Sequence, residues 1–132
     1  MALPAHARRI QKILMVDDEP DIRRVGQMSL ELVGQFEVVL AGGGEEALEL
    51  ARSERPDVIL LDVMMPRLDG PATLGQLRAE PATADIPVIF MTAKVQKHEV
   101  QRYLAQGASG VIFKPFDPMT LPQEIRRIAQ GG

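Results

Sequence analysis

No cysteine occurs in the 132 residues, so disulfide frameworks, thiolate metal sites and cysteine nucleophiles are excluded at once. Tryptophan is absent as well, and aromatics make up only 4% of the chain, too few for platforms that stack nucleic-acid bases. Basic residues are outnumbered: fifteen Lys and Arg face eighteen Asp and Glu, a formal net charge of −3. That balance provides no electropositive footprint for a nucleic-acid backbone or an anionic membrane surface. Long apolar runs are missing too. Stretches such as Val58–Leu61 and Val88–Met91 fall far short of the roughly 20 residues that span a bilayer. The charged start MALPAHARRIQK has no apolar run of signal-peptide length behind it. His6 and His98 stand without a partner at metal-ligand spacing. The expectation is a cytoplasmic protein with no nucleic-acid partner and no membrane insertion.

What the chain does have is 45% hydrophobic and 25% charged residues, the balance of an ordinary globule, and a length that suits one domain with an aliphatic core. Five short apolar runs stand out, at Lys12–Val16, Phe36–Leu40, Val58–Leu61, Ile86–Met91 and Ser109–Phe113. Each is bounded by Gly, Pro or Asp, as strands buried on both faces are. Helical spacing fills the intervals. Ile22, Val25, Met28 and Leu32 recur at three, three and four residues and form the apolar stripe of a first helix, with Arg23, Arg24 and Glu31 on its polar side. Leu121, Ile125 and Ile128 do the same for a last helix. Helices are also expected over Glu45–Ser53, Ala72–Arg78 and Gln96–Ala105. The last of these has only Val100, Tyr103 and Leu104 as large apolar residues, so it is expected to dock least firmly. Tyr103 reads equally well as a packing residue or as a contact on an output face.

Local chemistry marks the boundaries. Asp69-Gly70-Pro71 turns the chain and places Pro where a missing N–H is harmless. Gly107 suits a left-handed helix C-cap, and Thr120-Leu121-Pro122-Gln123 fits a capping box that starts the last helix there rather than at Asp117. Ala41-Gly42-Gly43-Gly44 lacks the lysine of a P-loop and reads as a strand-to-helix turn. Strand followed by helix, five times over, predicts an α/β fold: a doubly wound, flavodoxin-like, five-stranded parallel sheet of order 2-1-3-4-5 with helices on both faces. The expected organisation is a flexible lead-in over 1–10, one domain over 11–129 and a short tail over 130–132.

In such sheets the functional crevice lies beyond the carboxyl ends of the strands. Asp17, Asp18 and Glu19 follow the first predicted strand, Asp62 the third, Thr92 and Ala93 the fourth, and Lys114 and Pro115 the fifth. Taken singly, each has an ordinary structural reading as a helix cap, a solvated acid or a snorkelling lysine. Together they bring three aspartates, a hydroxyl and an ammonium to one edge. Two carboxylates about 4 Å apart repel by roughly 4 kcal/mol at an effective dielectric near 20. A hard divalent cation offsets that repulsion, and an all-oxygen donor set suits Mg²⁺, with phosphate chemistry beside it.

Val16-Asp17-Asp18-Glu19, the run from Leu61 to Gly70, Met91-Thr92-Ala93 and Lys114-Pro115-Phe116 resemble, in that order, the motifs of the receiver domain of two-component response regulators. The resemblance implies that Asp62 accepts a phosphoryl group from a histidine kinase or a histidine phosphotransfer protein. It implies that Asp18 and Asp62 ligate Mg²⁺ (Mn²⁺ being an alternative occupant) directly, Asp17 through water, and Met64 through its backbone carbonyl. Lys114 would supply the opposing charge, with the Lys114-Pro115 bond cis and aiming it inward, and Thr92 would sense the phosphoryl. The output would be a downstream effector protein bound at the face of the fourth helix, fifth strand and fifth helix. A homodimer is left open.

Two departures from the family pattern matter. Val111 stands where receivers often carry the Tyr or Phe that follows the switch threonine, which leaves signal transmission to Thr92 and loop movement. Met64, with Lys94, occupies a position that tunes phosphoryl lifetime, and its apolar side chain implies slow self-dephosphorylation. No turnover of a separate substrate is expected, so the chain is read as a phosphoacceptor rather than an enzyme. The alternatives are a Mg²⁺-dependent phosphohydrolase with Asp62 as nucleophile, which would want an aspartate where Met64 stands, and a receiver-like module that acts without phosphorylation. The pattern occupies nearly all of the chain, and if the chain is whole its response must come from a partner.

Overall fold

The computed structural model describes residues 9–93 and 96–130. Most of the expected lead-in and tail, and Lys94, lie outside the described residues. The strands are β1 (Lys12–Val16), β2 (Glu37–Ala41), β3 (Val58–Asp62), β4 (Val88–Thr92) and β5 (Gly110–Phe113). The helices are α1 (Pro20–Met28), which continues as a π-helical turn over Ser29–Val33, α2 (Gly44–Glu54), α3 (Gly70–Ala79), α4 (Lys97–Gln106) and α5 (Leu121–Ala129). The strands pair in parallel in the order β2-β1-β3-β4-β5, as the alternation of apolar runs and helical spacing predicts.

Side chains alternate across the sheet and build two cores. Leu14, Val16, Ile59, Leu61 and Phe90 pack with Ala47, Ala51, Leu74, Leu77 and Tyr103 on the face covered by α2, α3 and α4. Ile13, Met15, Leu60, Ile89 and Ile112 pack with Leu30, Leu121 and Ile125 on the face covered by α1 and α5. Each fully buried aliphatic side chain contributes about 1.5–3 kcal/mol, so the double-sided strands dominate the stability. Because Val63 donates to the Met91 carbonyl and Lys114 to the Thr92 carbonyl, pairing runs one residue further than the apolar runs suggest. Asp62 and Thr92 therefore close their strands instead of opening the loops beyond them.

The first helix corrects the expected stripe. Ile22 packs against the core, but Val25, Met28 and Leu32 face outward, Leu32 with 73% of its surface exposed. Small residues set the inward face instead. Gly26 lies so close to the sheet that a Cβ there would clash with the Met15 side chain, and buried Ser29 donates to the Pro118 carbonyl. The last helix starts at Leu121 as expected, yet the capping box does not form. The amides of Thr120 and Leu121 both donate to the Asp117 carbonyl, which pulls Thr120 into helical geometry and leaves its side chain outside the cap. Asp69 does cap α3, accepting from the Ala72 amide at 2.9 Å, and Gly107 ends α4 at φ 116°. Among the described residues, no helix is long and apolar enough to cross a membrane.

Two glycines of α3 carry opposite expectations. A Cβ on Gly70 would strike the Asp62 carbonyl oxygen at 2.5 Å and the Val63 backbone at 2.8 Å, whereas Gly75 is exposed with nothing within 4 Å. Gly70→Ala is expected to cost about 1–3 kcal/mol by overpacking. Gly75→Ala should add about 0.5–1 kcal/mol through helix propensity. Urea unfolding of both variants measures the contrast.

Candidate functional site

β1, β3 and β5 deliver four charged side chains to one point. Asp17 follows β1 and is fully buried; Asp62 closes β3 and is also buried; Asp18 is half-buried. One carboxylate oxygen from each of the three lies within 4.8 Å of the others. Lys114, next after β5, reaches back across β4. Its Nζ donates to Asp17 Oδ2 at 2.7 Å and lies 3.2 Å from Asp62 Oδ1. The Lys114–Pro115 peptide is cis.

The loop after β1 is held by several bonds at once. Asp17 donates its amide to the Ala41 carbonyl, extending the β1–β2 pairing, while its Oδ1 accepts from the Glu19 amide at 2.9 Å. The Arg23 guanidinium donates to the Asp17 carbonyl at 2.7 Å. Arg23 reads in the sequence as a polar-face residue of α1, and only the fold shows that it anchors the acidic loop. Gly42 likewise belongs to an ordinary turn, its amide donating to Glu46 Oε1 at 2.7 Å.

The remaining positions surround the acids. Asp62 faces Met91 in the register, so Thr92, buried, stands one residue nearer the edge on the neighbouring strand. Ala93 comes next and is exposed. Met64 extends its side chain into solvent, 63% exposed, with its amide directed at Asp62 Oδ1 at 3.4 Å. Val111 is half-buried on β5 opposite Phe90, away from the acids.

Burial pushes the Asp62 carboxyl up to about 6, from an ordinary value of 3.8, and the Asp17 charge adds to the rise while Lys114 opposes it. Burial pulls the Lys114 ammonium down, but its bond to Asp17 and the charges of Asp17 and Asp62 carry it above its ordinary value. Lys114 thus stays charged at neutral pH. Three carboxylates against one ammonium leave the cluster short of positive charge, and its donors are all hard oxygens. That set fits a divalent cation of the Mg²⁺ type better than a soft metal.

Residues 13–126 match the family model of the response regulator receiver domain. The probable transcriptional regulator ycf27 of Porphyra purpurea is 42% identical over 118 residues, covering 89% of this chain and 47% of its own. The alkaline phosphatase synthesis transcriptional regulatory protein PhoP of Bacillus subtilis is 40% identical over 118 residues, covering 89% and 48%. The chain spans about half the length of the curated relatives it matches. Among solved structures, the chemotaxis response regulator CheY4 of Vibrio cholerae superposes with a TM-score of 0.83 at 34% identity, over 91% of this chain and 99% of that one. With the acids, the hydroxyl and the lysine gathered at the carboxyl edge of a 2-1-3-4-5 sheet, the chain belongs to the response regulator receiver domain family.

Proposed function

We propose that this receiver domain is a phosphorylation-dependent switch whose acceptor is Asp62. The reading rests on one observation above all: the Lys114 ammonium lies between the Asp17 and Asp62 carboxylates at the mouth of the sheet. An Asp62 carboxylate oxygen attacks the phosphorus of a phosphohistidine in a histidine kinase or phosphotransfer protein. The P–N bond breaks, the imidazole leaves with its electron pair, and an acyl phosphate forms on Asp62. Lys114 balances charge on the incoming oxygens as a point donor. Asp17 holds that ammonium in place, and the Thr92 hydroxyl, on the next strand, is the nearest side-chain donor of β4 to the new group. Asp17, Asp18 and Asp62, with the Met64 carbonyl, are the residues that would hold Mg²⁺, which when bound supplies positive charge to the phosphoryl oxygens.

The donor protein has a surface suited to it. Val25, Met28 and Leu32 expose apolar area along α1 and its π-helical continuation, which begin just past the acidic loop, and exposed Met119 follows Pro118, whose carbonyl accepts from Ser29. A docked donor there brings its phosphohistidine to the adjoining acids. The effector docks on α4, β5 and α5, a reading supported by the exposure of Leu104 and Phe113 there, and the module works in the cytoplasm. It is a phosphoacceptor and not an enzyme with turnover, because Met64 offers no group to act as general acid or to orient water.

Incubation with acetyl phosphate and Mg²⁺ is expected to add a single phosphoryl by intact mass, and Asp62→Asn to add none. Continued release of phosphate from many substrates would favour the hydrolase reading. The apolar Met64 side chain sets a separate expectation for the loaded protein. Its acyl phosphate should persist for minutes or longer, and Met64→Asn, which can orient a water, should shorten that half-life; decay of the wild type within seconds contradicts it.

A further inference from the structure

The helix nearest Thr92 in sequence is tied to the sheet in an uneven way. At its C-terminal end, Gln106 Nε2 donates to the Pro71 carbonyl at 2.6 Å, and Arg78 donates to the Gly107 carbonyl at 3.1 Å. At its N-terminal end, Gln96 makes no side-chain cap. Between the ends, Tyr103 is the one buried residue among the described residues of α4, with only 4% of its surface exposed. Leu104 is exposed and Val100 is half-buried, so among the described residues of α4 the Tyr103 ring is the most deeply set against the sheet.

That ring touches the segments the site would have to move. Its edge packs on Phe90 with centroids 5.0 Å apart and planes at 62°, a favourable aromatic geometry. Phe90 lies two residues before Thr92 on β4, so the two side chains share a face of the sheet. Opposite Phe90 on β5 stands Val111, too small to fill the same space. The Tyr103 hydroxyl donates to Glu99 Oε2 at 3.1 Å, one turn back toward the loop after Thr92. On its other side the ring lines a groove of about 680 Å³, whose opposite wall is Val63, Met64, Met65 and Pro66, the residues directly after Asp62. The ring thus sits between the segments leaving Asp62 and Thr92, with open space beside it.

Resting on the reading of Asp62 as acceptor, we propose that Tyr103 is the positioning residue that couples Asp62 modification to α4. A phosphoryl on Asp62 adds nearly two negative charges and three acceptors between those two segments, and both must adjust to it. The groove between the Val63–Pro66 segment and α4 changes shape, the ring exchanges its place on Phe90 for one against the pliable methionine wall, and the N-terminal half of α4 swings about its tied C-terminal end. An aromatic carried by α4 thereby does, in this chain, the work that Val111 on β5 cannot.

The chain contains one tyrosine and no tryptophan, so its tyrosine emission reports Tyr103 alone. The protein is loaded with acetyl phosphate and Mg²⁺, and loading is read by intact mass beside acrylamide quenching of that emission. Hydrogen exchange over 96–106 is followed in the same samples. Loading is expected to raise quencher access and to change α4 exchange, with neither effect in Asp62→Asn. Tyr103→Phe keeps the ring and should keep the exchange difference; Tyr103→Ala should take up phosphoryl yet lose that difference. Unchanged quenching in fully loaded wild type overturns the proposal, as does a full exchange difference in loaded Tyr103→Ala. Failure of the wild type to load overturns the acceptor reading and this proposal with it, and the mass spectrum tells that outcome from the others.

Discussion

Lys114→Met is expected to unfold in metal-free buffer about 3 kcal/mol more easily than the wild type, because it leaves the fully buried Asp17 carboxylate without its ammonium. Methionine retains most of the lysine's length and apolar stem, so the loss is one of charge more than of packing. Asp62 loses its opposing charge in the same stroke, and the Asp17–Asp62 repulsion that raises its pKa acts unrelieved. Phosphoryl uptake from acetyl phosphate should also fall by about ten- to hundredfold, the equivalent of one charge-assisted hydrogen bond in the transition state. Added Mg²⁺ restores part of the stability, since a ligand that binds only the folded state stabilises it. Urea unfolding with chelator and with Mg²⁺ measures both effects. Equal stability of variant and wild type in chelator would show that Lys114 is not the counter-ion of the cluster.

Asp62→Asn is expected to act in the opposite sense on stability. A carboxyl raised to about 6 in the fold, from 3.8, binds its proton more tightly folded than unfolded. The penalty is therefore absent below about 3.8, grows as pH rises toward 6, and is complete above that. Removing the charge should stabilise the metal-free protein at neutral pH by about 1–2 kcal/mol, a figure already reduced for solvent at the mouth of the site. The advantage should shrink steadily as pH falls toward 4. Mg²⁺ reverses the comparison, because the asparagine variant has lost one of the oxygens that bind it. Unfolding curves in chelator from pH 4 to about 8 track the first effect, and a magnesium titration at neutral pH the second.

The sheet and its order are legible in the sequence because double-sided strands leave unbroken apolar runs, and because the residues just past each run must lie at one edge. For the same reason Asp17, Asp18, Asp62, Thr92 and Lys114 can be grouped from the sequence alone. The first helix misleads for a physical reason. A spacing of three, three and four residues marks a face of a helix without saying which way it points. Here the sheet approaches Gly26 and Ser29, and the larger Val25, Met28 and Leu32 are left outside. Arg23 escapes sequence reasoning because a guanidinium that holds a backbone carbonyl leaves no pattern in the chain. The Thr120 cap fails because the turn from Asp117 satisfies the neighbouring amides first. Tyr103 is visible as an aromatic on a sparsely apolar helix, but its place between Phe90 and the groove is a property of the fold.

The acyl phosphate is expected on Asp62 and on no other side chain. Borohydride reduces an acyl phosphate to the alcohol, so treatment of acetyl-phosphate-loaded protein before peptide mass spectrometry marks the modified carboxyl. Homoserine is expected at position 62 alone, with Asp17, Asp18 and Asp69 unchanged and no reduction in a sample prepared without Mg²⁺. Homoserine at any other aspartate, or a phosphoryl that survives borohydride on a side chain other than a carboxylate, would contradict it.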